Sequence, residues 1–370
     1  MRRREKHLAG IGLATLALVA LAACASGAAG PSAPAAVPPA ARAAPGAEAT
    51  TPARRGAAAL GAAGAEAASA APPALVKVPA AYTAASGAQM AMLVAQHAGL
   101  FRERGLDVDL TLLSGDRGIQ SLIAGQIAFA SYAGVQTVYA VAAGAPIVTV
   151  AQDMESVGMA IHAAPAIRDL RGLRGKRLGI SAPGTLTDLI ARVAAREADL
   201  RVGEDLALVG IGSMEDLVPA LVSGAIDGAV LSMPGSLRAR DAGFPELLDA
   251  ATLGRSGRLL HTALASRRDY LDQEPDTAQR FVDAYVAAVR RSREDPATAQ
   301  AALREWLKIE DPQLAEATYQ FYVRLLKDPP VPSAEAWQAL LDVLADVPGV
   351  NPAVHTLAPE TLIDTRFVRG

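Results

Sequence analysis

One pattern constrains this chain more than any other: a strand, loop, helix, turn and strand that occur twice at a fixed offset of 99 residues. The shift sets Ser114 on Ser213, Asp116 on Glu215, Leu122 on Leu221, Gly125 on Gly224 and Ile127 on Ile226. Each copy reads strand, Ser, acidic residue, helix, L-(I/V)-(A/S)-G-(Q/A)-I, strand. A shift of 97 sets Leu93 on Ile190, which gives the preceding helix a counterpart. Two similar lobes follow from such a repeat. The chain around it has the same grammar: Leu106 to Leu113 alternates apolar and polar residues as a half-buried strand does. Short apolar runs at 127–131, 146–151, 177–181, 206–211 and 226–231 extend the series, with helical spacing between them, as at Thr187 to Ala198. Strands alternating with helices predict an α/β sheet with right-handed crossovers.

From Pro275 the chain reads as helical. Phe281, Tyr285 and Val289 fall at i, i+4 and i+8, a buried stripe. Leu303, Trp306 and Leu307 form a second stripe, Leu314, Ala317 and Phe321 a third, and Trp337, Leu340, Leu341 and Leu344 a fourth.

The N-terminus belongs to neither lobe. Arg2, Arg3, Arg4 and Lys6 precede an uncharged run from Leu8 to Ala23 that ends Leu21-Ala22-Ala23-Cys24. The run is shorter than the ~20 residues of a membrane span and reads as an export signal. The ending resembles the bacterial lipobox, in which the Cys thiol is acylated. Cys24 is the chain's single cysteine, so its place at that motif predicts a lipid anchor. Residues 25–75 read as a tether: 43 of the 50 residues 25–74 are Ala, Pro, Gly, Ser or Thr, too little apolar area to offset chain entropy. As a coil the tether would reach about 40 Å.

Much chemistry is excluded. With one cysteine there is no intrachain disulfide and no zinc site built on several Cys. The five histidines form neither HxxxH nor HExxH, so no metal is expected. A net charge of −3 argues against a nucleic-acid partner, which needs clustered cations. Gly179-Ile-Ser-Ala-Pro183 ends in Pro where a nucleophile elbow needs Gly. P-loop, dinucleotide and EF-hand motifs are absent, so neither a cofactor nor an enzymatic activity is expected.

Small polar residues do gather where strands give way to helices: Ser86-Gly87, Ser114-Gly115-Asp116, Ser131-Tyr132, Gly184-Thr185, Ser213 and Ser232-Met233. Helix starts expose unpaired N–H groups that bind polar ligand groups. In open α/β sheets these loops meet at the carboxyl edge, where ligands bind. Taken singly, each Ser or Thr reads as a helix cap; taken together, facing loops from two lobes favour a ligand cleft.

These residues resemble the solute-binding proteins of ABC importers, in the nitrate/sulfonate/taurine and thiamine-pyrimidine-precursor family. The likeness runs from about residue 76 to the C-terminus. It rests on Ala98-Gly-Leu-Phe-Arg-Glu-Arg-Gly-Leu-Asp-Val108, Leu122-Ile-Ala-Gly-Gln-Ile127, Gly144-Ala-Pro-Ile147, Asp169-Leu-Arg-Gly-Leu-Arg-Gly-Lys-Arg-Leu178 and Ala220-Leu-Val-Ser-Gly-Ala-Ile-Asp227. The resemblance implies a type II periplasmic-binding-protein fold: two Rossmann-like lobes, 76–162 plus 262–370 and 163–261, joined by a two-segment hinge that closes on solute. Lobe I would carry the helical C-terminal region. It implies an exported, lipid-anchored monomer, its body in the periplasm or at the cell surface. This monomer would pass a small organic solute or oxyanion, sulfonate-like or pyrimidine-like, to a permease and its ATPase. By position, Ser86, Ser114, Ser131, Thr185, Ser213 and Ser232 would line the cleft. These loops carry no Arg pair, Arg117 alone lying close, whereas Tyr82 and Tyr132 could stack on a flat ring with Asp116 accepting from it. Pro79 hints at an edge strand or altered register. The alternatives are a sensor or scaffold lipoprotein, and a pyrimidine-precursor synthase, whose Cys-rich motif this chain lacks.

Overall fold

The computed structural model describes residues 74–253 and 259–369. The export signal, Cys24 and nearly all of the tether lie outside the described residues.

The first sheet is built from β1 (Val76–Tyr82), β2 (Leu106–Leu112), β3 (Phe129–Tyr132) and β4 (Ile147–Met154), with helices α1 (Met90–His97), α2 (Leu100–Glu103), α3 (Arg117–Ile123) and α4 (Gly134–Ala142) between them. The second holds β5 (Met159–Ala163), β6 (Lys176–Ile180), β7 (Leu206–Gly210), β8 (Gly228–Ser232) and β9 (Glu246–Asp249), with α5 (Leu186–Glu197), α6 (Leu217–Val222) and α7 (Gly235–Asp241). The chain then returns to the first sheet as β10 (Thr262–Arg267) and continues through α8 (Arg268–Gln273), α9 (Pro275–Glu294), α10 (Pro296–Leu307), α11 (Pro312–Val323) and α12 (Ala334–Ala345).

Strand order is β2-β1-β3-β10-β4 in one sheet and β7-β6-β8-β5-β9 in the other. In each, four strands run in one direction and a single strand, β10 or β5, runs antiparallel between two of them, so the two sheets are built to one plan. The 99-residue repeat explains the match. Leu122 and Leu221 are both fully buried, and Gly125 and Gly224 take the same left-handed turn, φ 72° and 73°. A side chain at either glycine would be strained.

The chain passes between the sheets twice, after β4 and after β9. The first crossover runs through 155–158, ahead of the expected 162/163, because all of β5 is paired with β8. Pro79 also departs from expectation, since β1 is central. Its carbonyl accepts from Ala128 N on the β3 side. The missing N–H faces that same side, where pairing with β3 starts only at Ala80, so no ladder bond is lost.

Three apolar clusters form the core. Tyr82, Phe101 and Phe129 meet the α9 stripe of Phe281, Tyr285 and Val289 on one face of the first sheet. Phe129 and Phe281 stack with ring centroids 4.0 Å apart. Ile119, Leu122, Ala130 and Tyr132 fill the opposite face. The second sheet's core takes in Val135 and Val138 of α4 and Trp337 of α12. Gln152 of β4 accepts from the Trp337 indole N–H at 2.9 Å, and the 327–331 segment straps the crossover through Lys327 N to Asp153 O and the Lys327–Glu155 ion pair.

The buried face of α11 is Ala315, Thr318, Tyr319 and Tyr322; Leu314, Ala317 and Phe321 are only half-buried. The Tyr322 tip turns inward because it finds a partner there, donating to Gly158 O at 3.1 Å, while Thr318 donates back to Leu314 O of its own helix. Under these two residues lies Gly87. A Cβ there would stand 2.5 Å from the Tyr322 ring and 2.6 Å from the Thr318 methyl. Gly87→Ala should lower stability by about 1–3 kcal/mol through overpacking, read as the urea unfolding midpoint; an unchanged midpoint would refute this contact.

Asp153, at the end of β4, is fully buried and neither carboxylate oxygen has a hydrogen-bond partner. Burial pushes its pKa from 3.8 up to about 7, and the facing Tyr285 hydroxyl pulls more weakly the other way. Between these values the folded protein holds a proton that the unfolded chain has released. The contribution of Asp153 to stability therefore falls as pH rises through that window, by about 1.4 kcal/mol per unit. Asp153→Asn removes this dependence. Relative to wild type, the variant should gain about 2–3 kcal/mol between pH 5 and pH 8. Parallel urea curves at the two pH values check this, and an equal difference at both would contradict it.

Candidate functional site

The loops after the parallel strands of both sheets converge on a small cavity of about 50 Å³. The first sheet supplies Thr83, Ser86 and Gln89 after β1, Gly115 after β2, and Ala133 and Gln136 after β3. The second supplies Met159, then Ser181, Thr185 and Thr187 around the start of α5, and Met214 after β7. His261 enters from the second crossover.

Local chemistry fixes these groups. Ser86 caps the turn before α1, its Oγ accepting from Ala88 N at 3.2 Å and lying 3.2 Å from the Tyr322 hydroxyl. Gln136 Nε2 donates to Gly115 O at 3.2 Å, which leaves Oε1 as that amide's acceptor. The Ser181, Thr185 and Thr187 hydroxyls are mutually bonded at 2.9–3.1 Å. His261 is wholly buried, and desolvation lowers its pKa to about 4. Its Nδ1 lies 2.9 Å from Gly158 N and accepts that proton, so the neutral ring carries its own on Nε2. Gln89 is 4% exposed and its Oε1 has no partner among the described residues. Among the described residues no Lys, Arg, Asp or Glu lines the cavity.

Of the residues singled out from sequence, Ser86, Gly115 and Thr185 line this space. Asp116 and Gly184 line an adjoining groove of about 530 Å³ that shares Gln136 and Thr185 with it. Gly87 donates its N–H to Met233 O at 3.1 Å, a direct bond between a first-sheet loop and a second-sheet loop. The rest face elsewhere. Ser114 is buried, and Arg117 Nε donates to its carbonyl. Ser131 and Ser232 are buried with unpartnered hydroxyls. Tyr132 lies inside the core, where Thr137 donates to its oxygen and burial pushes its pKa well up. Ser213 bonds Asp216 in its own loop, donating to Oδ2 at 2.6 Å and accepting from the backbone N. Tyr82 packs edge-on against Trp306 at 6.0 Å.

Gln89, Gln136, Thr187, Met214 and His261 are among the lining residues that pattern reading passes over. The two glutamines had a signal, since each sits at or just inside the start of the helix that follows a parallel strand. Ser181, noted only as a broken nucleophile elbow, bonds hydroxyls alone. No imidazole or carboxylate is among its partners in the described residues. Nor do those residues contain a group of three or more His, Cys, Asp or Glu fit to hold a metal, or a helix long and apolar enough to cross a membrane.

The chain is similar to proteins of one structural kind. A Bacillus subtilis (strain 168) protein, YtlA, whose name calls it a binding protein, is 25% identical over 270 residues, 70% of this chain and 80% of that one. A solved structure from Bordetella bronchiseptica RB50 superposes with a TM-score of 0.72 at 22% identity, covering 80% of this chain and 96% of the other. The alkanesulfonate-binding protein SsuA of Xanthomonas axonopodis pv. citri, bound to MOPS, superposes with a TM-score of 0.62 at 18% identity, covering 80% and 97%. Such likenesses show the fold, two α/β lobes of the type II periplasmic-binding-protein kind with a helical C-terminal region. The family model described as NMT1/THI5 like matches residues 88–299, and with more than half of its length so matched the chain belongs to the NMT1/THI5-like family.

Proposed function

We propose that this protein is an extracytoplasmic solute receptor of an ABC importer, a binding protein and not an enzyme. The observation that carries the reading is the cavity itself. It is enclosed by strand-end loops of both sheets and bridged by the Gly87–Met233 backbone bond. Two crossovers, at 155–158 and after β9, join the lobes; opening about them would admit a solute and closure would bury it. The binding-protein names among its relatives support the same reading. The closed monomer then docks on a permease served by an ATPase. Cys24, acylated, holds the body outside the membrane on the Ala/Pro/Gly-rich tether.

A thermal-shift screen of small solutes, followed by calorimetry, tests the site. Gln89→Leu removes a lining amide whose oxygen has no partner among the described residues, so melting of the empty protein should hold or rise. Affinity should fall up to roughly tenfold for one neutral hydrogen bond. Ser213→Ala should lower stability slightly and leave affinity unchanged. The reverse pattern, with Ser213 needed and Gln89 not, would remove the cavity from consideration.

The anchor has its own check. Cys24→Ser should move the protein from the membrane to the soluble fraction without changing its melting curve. A substituted protein that stays wholly with membranes would disprove the lipid attachment.

A further inference from the structure

We infer that the solute held in this cavity is uncharged and presents both an N–H donor and a carbonyl-type acceptor, as small amides do. The inference rests on reading the cavity as the solute site. It begins with the lining, which offers amides, hydroxyls and one imidazole but no formal charge. The imidazole is no exception, because burial keeps His261 neutral at pH 7 and its Nδ1 is already taken by Gly158 N–H.

An anion could still be met by backbone donors at a helix start, but in the Ser86 loop those donors are committed. Gly87 N–H goes to Met233 O, Ala88 N–H to Ser86 Oγ and Gln89 N–H to Ser86 O. At the start of α5, where the Leu186 and Thr187 N–H groups have no acceptor among the described residues, a carboxylate already stands. Asp188, 4% exposed, accepts from Gly184 N at 2.9 Å and pairs with Arg192 at 2.9 Å. A second negative charge beside Thr185 and Thr187 would meet that carboxylate. A cation would find no carboxylate in the lining. An ion enclosed without a counter-charge loses more in desolvation than neutral hydrogen bonds return.

The remaining valences describe the solute. Gln89 Oε1 is a buried acceptor without a donor, and Gln136 Oε1 is left free by the bond its Nε2 makes. His261 Nε2–H is the ring's unused donor. A solute with an N–H for the glutamines and a carbonyl-type oxygen for the imidazole satisfies them together.

Matched probes test this on the full chain. Acetamide against acetate, and methanesulfonamide against methanesulfonate, differ in charge at nearly constant shape. At equal ionic strength, each amide should raise the melting temperature with concentration and bind at least tenfold more tightly than its anion by calorimetry. The gain should be lost in Gln89→Leu. An anion that binds as tightly as its amide, and loses that binding in Gln89→Leu, overturns the neutral solute and keeps the cavity. Binding equal in wild type and variant, or no binding by any probe, overturns both.

Discussion

The Tyr322 hydroxyl is the contact on which the arrangement of the two sheets depends. It donates to Gly158 O in the first crossover and stands within hydrogen-bond distance of Ser86 Oγ in the first-sheet loop. The same ring roofs Gly87, whose N–H reaches Met233 O at the end of the second sheet's β8. A hinge segment, a loop of one lobe and a strand end of the other are thus gathered around one phenol on a C-terminal helix. Burial raises the Tyr322 pKa to about 12, so the hydroxyl remains a donor at any ordinary pH. The helical C-terminal region therefore does more than cover the first sheet: α11 and the 327–331 strap fix where the chain turns.

Much of the fold was legible because it is written locally. Strand alternation, the paired Leu-x-x-Gly turns and the α9 stripe each depend on residues a few positions apart, and the structure places them as their spacing requires. The errors arose where distant partners decide. Pro79 is tolerated in a central strand because pairing with β3 begins one residue later. The α11 face is rotated because Tyr322 finds an acceptor inward, which apolar periodicity cannot register.

The candidate site divides along the same line. Ser86 and Thr185 follow from the rule that strand-to-helix loops meet at the carboxyl edge. Whether a loop serine faces the cavity or its own turn is settled by partners. Ser213 has Asp216 three residues on and bonds it. Ser131 is buried within β3, and Ser114 is buried in the turn after β2. The 99-residue repeat made Ser114 and Ser213 equivalent in position, and they are, yet equivalence under the repeat is not convergence on one cavity. His261 lay beyond reach because it belongs to a crossover whose path no local pattern marks.

Asp153 and His261 stand at the two chain crossings with opposite tendencies. Burial raises the acid to about 7 and lowers the base to about 4. Acidification toward pH 4 thus relieves a cost at Asp153 while imposing one at His261, each at about 1.4 kcal/mol per unit. Across roughly pH 4 to 6.5 the two slopes offset one another. The fold is thereby insulated from mild acid where the chain crosses: proton uptake by Asp153 compensates proton refusal at His261, and folding stability is spared a slope that either residue alone would impose.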